Sequence, residues 1–402
     1  MKIVVIGAGA SGLFYSIQAS SLGHEVTLLE ANEKVGRKIM ITGKGRCNIT
    51  NDCSPNEVIE KVIDNPKFLF SAINGFTPKD TIEWFNSHGC ELKTERGNRV
   101  FPVSDKSSDI VDTLFFTAKR NGVKILFKQK VYEIKKEGEG FGVYSRGGDI
   151  YCDRLVIATG GKSYPLTGST GDGYGFARQF GHTIIPLRPA LCPIKVKEEI
   201  DRDMLSFTLK NVALTAKNGK FKKTLFGDLE FLPGAITGPI AITMSSLINK
   251  MDDVELKLDF KPALDEEKLK NRILREIEKR HNEDVESLLN ALLPYEIVPF
   301  FAENSNTLIH TRLGEFTKAD RNKLIESLKR FPLTYAGLES IEKGIVTAGG
   351  VSVKEVDSKT MESKLVKGLY FIGEVLDVDA LTGGFNLQIA LSTAFAAASH
   401  IE

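Results

Sequence analysis

Two glycine turns at opposite ends of the chain constrain its fold more than any other feature. The first is Val4-Val-Ile-Gly7-Ala-Gly9-Ala-Ser-Gly12; the second, Gly368-Leu-Tyr-Phe-Ile-Gly373-Glu374-Val-Leu-Asp377, runs on to Gly383-Gly384-Phe385-Asn386-Leu387-Gln388. Lys2 to Ile6 is the β-branched run that a buried parallel strand requires. Glycines at 7, 9 and 12 then permit a tight turn, close approach of backbone to a phosphate, and close packing of helix on strand. A helix from about Ser11 to Leu22 directs its positive N-terminus at that phosphate, Gly23 stops it, and Glu25 to Leu29 forms a second strand. Glu30 closes that strand 18 residues after Gly12, where an acid accepts hydrogen bonds from ribose hydroxyls. An ordinary Gly-rich turn does not account for Glu30, and the pattern predicts an α/β dinucleotide-binding fold.

A plain NAD-binding fold has no need of the distant second segment. That segment offers a strand, an acid at its end and a helix start, the parts that reach a ribityl chain and a flavin ring. The two ends together describe a folded-back FAD site. Glu374 is the first candidate for a ribityl hydroxyl, with Asp377 either taking that contact or orienting the loop. Gly384, Phe385, Asn386 and Leu387 open the last helix. Its free N–H groups are expected at the flavin N1–C2=O edge, where charge gathers on reduction. The plainer reading is a Gly-rich helix start.

The chain's 402 residues exceed one compact core and predict two or three domains. With 53 basic and 52 acidic side chains it has no global pull toward nucleic acid or anionic membrane, so neither partner is expected and a small-molecule substrate is. Its oligomeric state stays open. The apolar start is too short and too glycine-broken to span a bilayer and lacks a cleavage-site pattern. Five cysteines (47, 53, 90, 152 and 192) form no Cys-x-x-Cys pair, which predicts a reducing, cytoplasmic home and excludes a flavin-to-disulfide relay. The six histidines show no metal-ligand spacing, no metal is expected, and His182 reads as structural.

Asn32 to Asn48, rich in glycine and cation without a long apolar period, reads as a shaped loop. Helices are predicted at Thr77–His88 and at Ser107–Asn121, the latter opening with Ser/Asp capping chemistry and closing at Asn121-Gly122. Strands follow at 123–127 and 130–135, a meander at 141–145 and 149–152, and a buried strand at 154–158. It ends in Ala158-Thr159-Gly160-Gly161, at the sheet edge where such folds hold ligands. Pro186, Pro189 and Pro193 mark a crossover. Short β-rich segments over 191–260 suggest a small barrel or sandwich, interrupted by helical spacing at 265–292 and 318–330, before the chain returns by 345–350. The expected domains are FAD-binding (first part) at 1–190, a β-rich insert at 191–342 with a helical subdomain at about 262–330, and FAD-binding (second part) at 343–402. No second glycine fingerprint precedes a strand and ribose acid, so the insert is expected to roof the substrate rather than bind a nicotinamide.

Four motifs then carry a family resemblance: Gly43-Lys-Gly45-Arg46-Cys47-Asn48-Ile-Thr-Asn51, Ala158-Thr-Gly-Gly-Lys-Ser-Tyr-Pro165, Thr237-Gly238-Pro239-Ile240, and Gly373-Glu374-Val-Leu-Asp377 with Thr382-Gly-Gly-Phe-Asn386. In order and over nearly the whole chain they resemble a bacterial family of NAD(P)/FAD-dependent oxidoreductases that includes aminoacetone oxidase and a 3-dehydro-bile-acid reductase flavoprotein. The resemblance implies a discontinuous FAD domain of the glutathione-reductase type, interrupted by a β-barrel-like insert with a helical subdomain. It also implies backbone contact from Val131 to adenine, where the residues alone allow a strand core position. One departure is that Ala390 to Ala398 lacks the glycine such final helices often carry.

The cofactor-binding set expected from these readings begins with Gly7, Gly9, Ala10, Ser11, Gly12, Glu30 and Ala31. The loop adds Arg37, Lys38, Gly45, Arg46, Cys47 and Asn48; Val131, Ala158, Thr159 and Gly160 follow, then Gly373, Glu374, Asp377 and Gly384 to Leu387. Arg46 could meet the pyrophosphate or a substrate anion, and Asn48 the ring edge; the bland alternative is a loop whose polar side chains cap backbone. Cys47 is a small packing residue before it is a flavin attachment or redox thiol. No general acid or base emerges. The enzyme reading is two-electron hydride chemistry on a small or medium organic molecule, the protein supplying position, electrostatics and exclusion of water. Reduction of a conjugated carbonyl, with NAD(P)H as a transient donor, competes there with amine oxidation by dioxygen in the manner of aminoacetone oxidase. A different class is a flavin-bearing RNA-binding or interaction protein. Neutral charge without an aromatic-interleaved basic stripe counts against it, though Lys217 to Lys223 is locally basic.

Overall fold

The computed structural model describes residues 1–205 and 207–401, which divide into two units: Met1–Ala190 with Ile341 onward, and Leu191–Ser340. The first is built on a five-stranded parallel sheet in the order Leu369–Phe371, Arg154–Ile157, Lys2–Ile6, Glu25–Leu29, Lys124–Leu126. Strands from both ends of the unit thus lie in one sheet. Its apolar runs are buried, as a sheet covered by helices demands. The helix Ala10–Ser21 packs on the last helix, Phe385–Ser399, and on Ser107–Arg120. Along the last helix the buried alanines 390, 394, 396, 397 and 398 take the place of the glycine, and their small side chains keep the packing close. Three smaller sheets complete the unit. Val131–Glu137, Gly140–Ser145 and Gly148–Cys152 form the predicted meander; Leu92–Glu95, Arg99–Pro102 and Thr50–Asn51 form a second; Ile184–Ala190 pairs antiparallel with Val346–Val351.

The second unit is a closed barrel of six strands, Ile194–Val196, Ala235–Thr237, Phe221–Leu232, Thr208–Asn218, Glu255–Asp259 and Phe331–Leu338, each hydrogen-bonded to the next. Four helices, Glu266–Lys279, Val285–Leu292, Val298–Ser305 and Lys318–Lys329, stand between its last two strands. Its apolar core is separate from that of the first unit.

Four local expectations need correction. The supposed loop at 32–48 contains a short helix, Arg37–Ile41, and a 3-10 turn, Thr42–Gly45; it is too short to show an apolar period. The prolines read as a crossover lie within or just after the strand Ile184–Ala190, and the register shift between Ile185 and Arg188 accommodates Pro186. The helix at 107 starts after Lys106, which makes no side-chain cap. The barrel also holds a helix at Pro239–Ile248, and it closes only through Phe331–Leu338, a strand that follows the helical stretch.

Candidate active site

The first glycine turn is held by its neighbours and open on one side. Gly7 donates its N–H to Leu29 O at 2.9 Å, and Gly36 donates to Ala8 O at 2.9 Å. A Cβ on Gly12 would lie 1.9 Å from Gly7 O, so helix and turn touch there at backbone distance. A Cβ on Gly9 would meet nothing within 4 Å. The first helical bond is Leu13 N–H to Gly9 O at 3.0 Å, which leaves the N–H groups of Ala10, Ser11 and Gly12 without an intrahelical acceptor. Open space in front of three free donors at a helix N-terminus is an anion cradle.

Glu30 is buried beside it. Its carboxylate accepts from Ala8 N at 3.0 Å, Asn32 N at 2.8 Å and Asn32 Nδ2 at 2.7 Å. Arg37 is spent on Asn32, donating to its Oδ1 at 2.6 Å. Val131 heads the meander, two residues after Gln129, whose N–H reaches Glu30 O at 2.8 Å.

The C-terminal motif meets this turn directly. Gly373, at φ +71°, lies against Ser11, and a Cβ there would be 2.6 Å from Ser11 Oγ. Ala158 abuts Gly7, and the next side chain, Thr159, has a buried hydroxyl without a hydrogen-bond partner, as does Tyr174. Glu374 accepts from Lys38 Nζ at 2.7 and 2.9 Å and from Thr347 N at 2.9 Å, while Lys38 also donates to Ser163 Oγ at 2.6 Å. One ammonium thus links three segments distant in sequence, and Glu374 adds a fourth through Thr347. Asp377 accepts from Asn65 Nδ2 at 2.9 Å.

The last helix begins after Gly384, and its first bond, Gln388 N–H to Gly384 O at 3.0 Å, leaves the N–H groups of Phe385, Asn386 and Leu387 free of helical acceptors. Asn386 fastens the preceding loop, accepting from Ala380 N at 2.9 Å and donating to Ala380 O at 2.7 Å. Buried Gln388 accepts from Thr50 and Thr81 Oγ1 at 2.6 and 2.8 Å and donates to Phe76 O and Ser392 Oγ at 3.0 Å each, which fixes the helix start.

Three residues of the 43–51 motif are engaged elsewhere. Arg46 pairs with Glu95 and Asp105 and stacks over Phe101 at 4.2 Å, and these acids hold its guanidinium above its ordinary range. Asn48 Oδ1 accepts from Val100 N at 3.1 Å. Cys47 is fully buried, and burial pushes its thiol up to about 12, so it stays protonated and packs. Lys38 was a candidate from the sequence, and Asn51 and Ser163 lie in the quoted motifs, but the contacts they form were not legible there; Thr347 was missed altogether.

The residues fit an FAD: an open phosphate cradle, an acid at the end of the second strand, orphaned hydroxyls at Thr159 and Tyr174, and a second free helix N-terminus. Residues 1–400 match a family described as HI0933-like protein Rossmann domain. The chain belongs to this family. It is 33% identical over 405 residues to a ribosomal RNA dihydrouridine synthase of Escherichia coli K12, covering 99% of this chain and 97% of that protein. It is 30% identical over 406 residues to a 3-dehydro-bile acid delta(4,6)-reductase of Clostridium scindens, covering 98% of each. A 3-ketosteroid delta1-dehydrogenase from Sterolibacterium denitrificans shares the fold at a TM-score of 0.52 and 14% identity, over 99% of this chain and 98% of that one. This HI0933-like chain is an FAD-dependent oxidoreductase. Among its described residues no helix is long and apolar enough to cross a membrane.

Proposed function

We propose that this oxidoreductase reduces a carbon–carbon double bond conjugated to a carbonyl, with NAD(P)H as transient donor. The observation that carries the reading is the chemistry shared by the names of two full-length relatives. Dihydrouridine is uridine saturated at C5–C6, a bond conjugated to the C4 carbonyl. A 3-dehydro bile acid unsaturated at C4 is an enone in the same sense. In both, the β-carbon accepts hydride, charge passes to the carbonyl oxygen, and a proton completes the α-carbon.

An FAD held in this site would supply the hydride chemistry, with NAD(P)H as its reductant. The chain's own residues hold and polarise it. The N–H groups of Ala10 to Gly12 bind the pyrophosphate, and Glu30 takes the adenosine ribose. Glu374, oriented by Lys38, accepts from the ribityl chain. The free N–H groups of Phe385 to Leu387 stabilise negative charge at the ring edge. Gly160, Gly45 and Ala31 supply backbone around the cofactor.

The test is anaerobic. NADH or NADPH should bleach the flavin of the purified holoenzyme. A 3-oxo-4-ene steroid or a uridine-containing RNA should then restore its colour with loss of the acceptor's double bond. Recovery of colour with dioxygen alone, after bleaching by an amine, would assign amine oxidation instead.

A further inference from the structure

The hairpin joining Leu92–Glu95 to Arg99–Pro102 carries three cations and has a fourth, Arg46, against it, and the four divide into two kinds. Lys93 and Arg46, packed along its body, share Glu95 and Asp105. Arg96 and Arg99 stand at its exposed tip, and neither forms an ion pair among the described residues. Glu95 lies across the ladder from Arg99 but gives its carboxylate to Arg46 and Lys93. Asp52, the other nearby acid, accepts from Thr94 Oγ1 at 3.1 Å.

The tip is also fixed in place. Asn51, buried beneath it, donates through Nδ2 to Gly97 O at 3.1 Å and to Gly383 O at 3.0 Å. One side chain therefore ties the turn to the residue preceding the last helix's cap. Asp52 N–H bonds Asn98 O at 2.7 Å, and Arg99 Nε folds back onto Arg96 O at 3.1 Å. That leaves the two terminal nitrogens of Arg99 and the whole guanidinium of Arg96 as donors. Two forked, permanently charged donors on a rigid turn suit a phosphate or carboxylate.

We infer that Arg96 and Arg99 grip an oxyanion of the substrate. The inference rests on the proposed ene-reduction at the flavin and adds what the substrate must carry. The oxyanion is either a phosphate flanking the reduced uracil or the carboxylate of an acidic enone. Placed beside Gly383, the grip would hold the charged end of the acceptor while its conjugated bond meets the flavin.

The test uses the holoenzyme and equilibrium binding, read as the perturbation of the oxidised flavin spectrum. The probes are uridine against 3′-uridine monophosphate, and a neutral 3-oxo-4-ene steroid against one bearing a side-chain carboxylate. In the parent, one anionic probe should bind more tightly than its neutral partner, and which pair shows the difference identifies the source of the oxyanion. The double variant Arg96→Ala/Arg99→Ala should weaken that anionic probe about tenfold or more, the loss of charge-assisted hydrogen bonds. It should move the neutral probe less than about twofold, and Arg96→Lys/Arg99→Lys should recover part of the loss because charge remains without the fork. Equal affinity for charged and neutral probes in the parent, or an equal loss for both in the variant, overturns the inference. Arginine-dependent binding without any hydride transfer would leave the grip standing and sink the ene-reduction reading.

Discussion

Gly9 and Gly12 share one turn, yet replacing them should separate cofactor binding from folding. A side chain on Gly9 enters open space, so Gly9→Val should give a folded protein that has lost most of its FAD. A side chain on Gly12 would meet Gly7 O at 1.9 Å, so Gly12→Ala should destabilise the fold itself by about 1–3 kcal/mol or more. Thermal unfolding with flavin quantitation distinguishes them; a Gly9→Val protein with full FAD would show that the open side faces something else. Glu374→Gln keeps the shape but removes the charge that Lys38 holds, and should weaken FAD binding about tenfold or more by the loss of a charge-assisted hydrogen bond. His182 illustrates a purely structural role. Its Nε2 is 2.7 Å from Ser363 Oγ, and burial lowers its pKa below 6.5 against the opposing pull of Glu355. Because the unfolded chain binds the proton more readily, His182 should favour folding fully above pH of about 6.5, with that contribution lost as pH falls toward its folded value. The melting temperature should therefore drop below pH 6.5, and a slope unchanged in His182→Gln would place the titration elsewhere.

The last helix shows how electrostatics and packing can be tested apart. Gly384 is unsuited to substitution, since its φ of +96° and the 2.3 Å between a Cβ and Thr50 O would disturb the fold along with the flavin. Leu387 is only half-buried, so an acid there would place negative charge in the first turn. Leu387→Asp gives up apolar packing against the core, a loss that Leu387→Asn shares, and should lower the flavin reduction potential by about 10–20 mV, the equivalent of about 0.3–1 kcal/mol of dipole interaction. A redox titration against Leu387→Asn is the control, and equal potentials would make this helix a scaffold only. Elements with a strong local signal were legible: Lys2–Ile6 and Glu25–Leu29 fell where apolar runs beside glycines put them, and the last helix where the Gly383-Gly384 start put it. The short helix Arg37–Ile41 and the strand containing Pro186 were not, because the first has too few turns to show a face and the second breaks its own ladder with proline. Contacts such as Lys38 with Glu374, or Asn51 with Gly383, join residues hundreds of positions apart, and only the sheet order brings them together. That is why the acid of the C-terminal motif could be named from the sequence while the lysine's part in orienting it could not.

For the whole molecule the deciding feature is that nucleotide-binding geometry occurs in one unit. All the parallel ladders among the described residues belong to the five-stranded sheet, which carries the glycine turn and Glu30. The barrel unit does contain one strand–glycine–helix step, Ala235–Thr237 through Gly238 to Pro239–Ile248. Its environment differs. A Cβ on Gly238 would lie 3.0 Å from Glu230 N, the strand is antiparallel, and proline at the first helical position removes a donor. That step packs against backbone where Gly9 faces open space. Among the described residues a nicotinamide donor has no second pyrophosphate cradle of that kind, and it must come to the flavin in its turn. The expected kinetics are therefore ping-pong. Initial rates with NADH or NADPH varied at several fixed concentrations of a conjugated carbonyl should give parallel double-reciprocal lines, and the donor should inhibit competitively against the acceptor at high concentration. Intersecting lines would require both to be bound at once. A dinucleotide site outside the five-stranded sheet would then have to exist, and the reading of Gly238 as a packing glycine would fall with it.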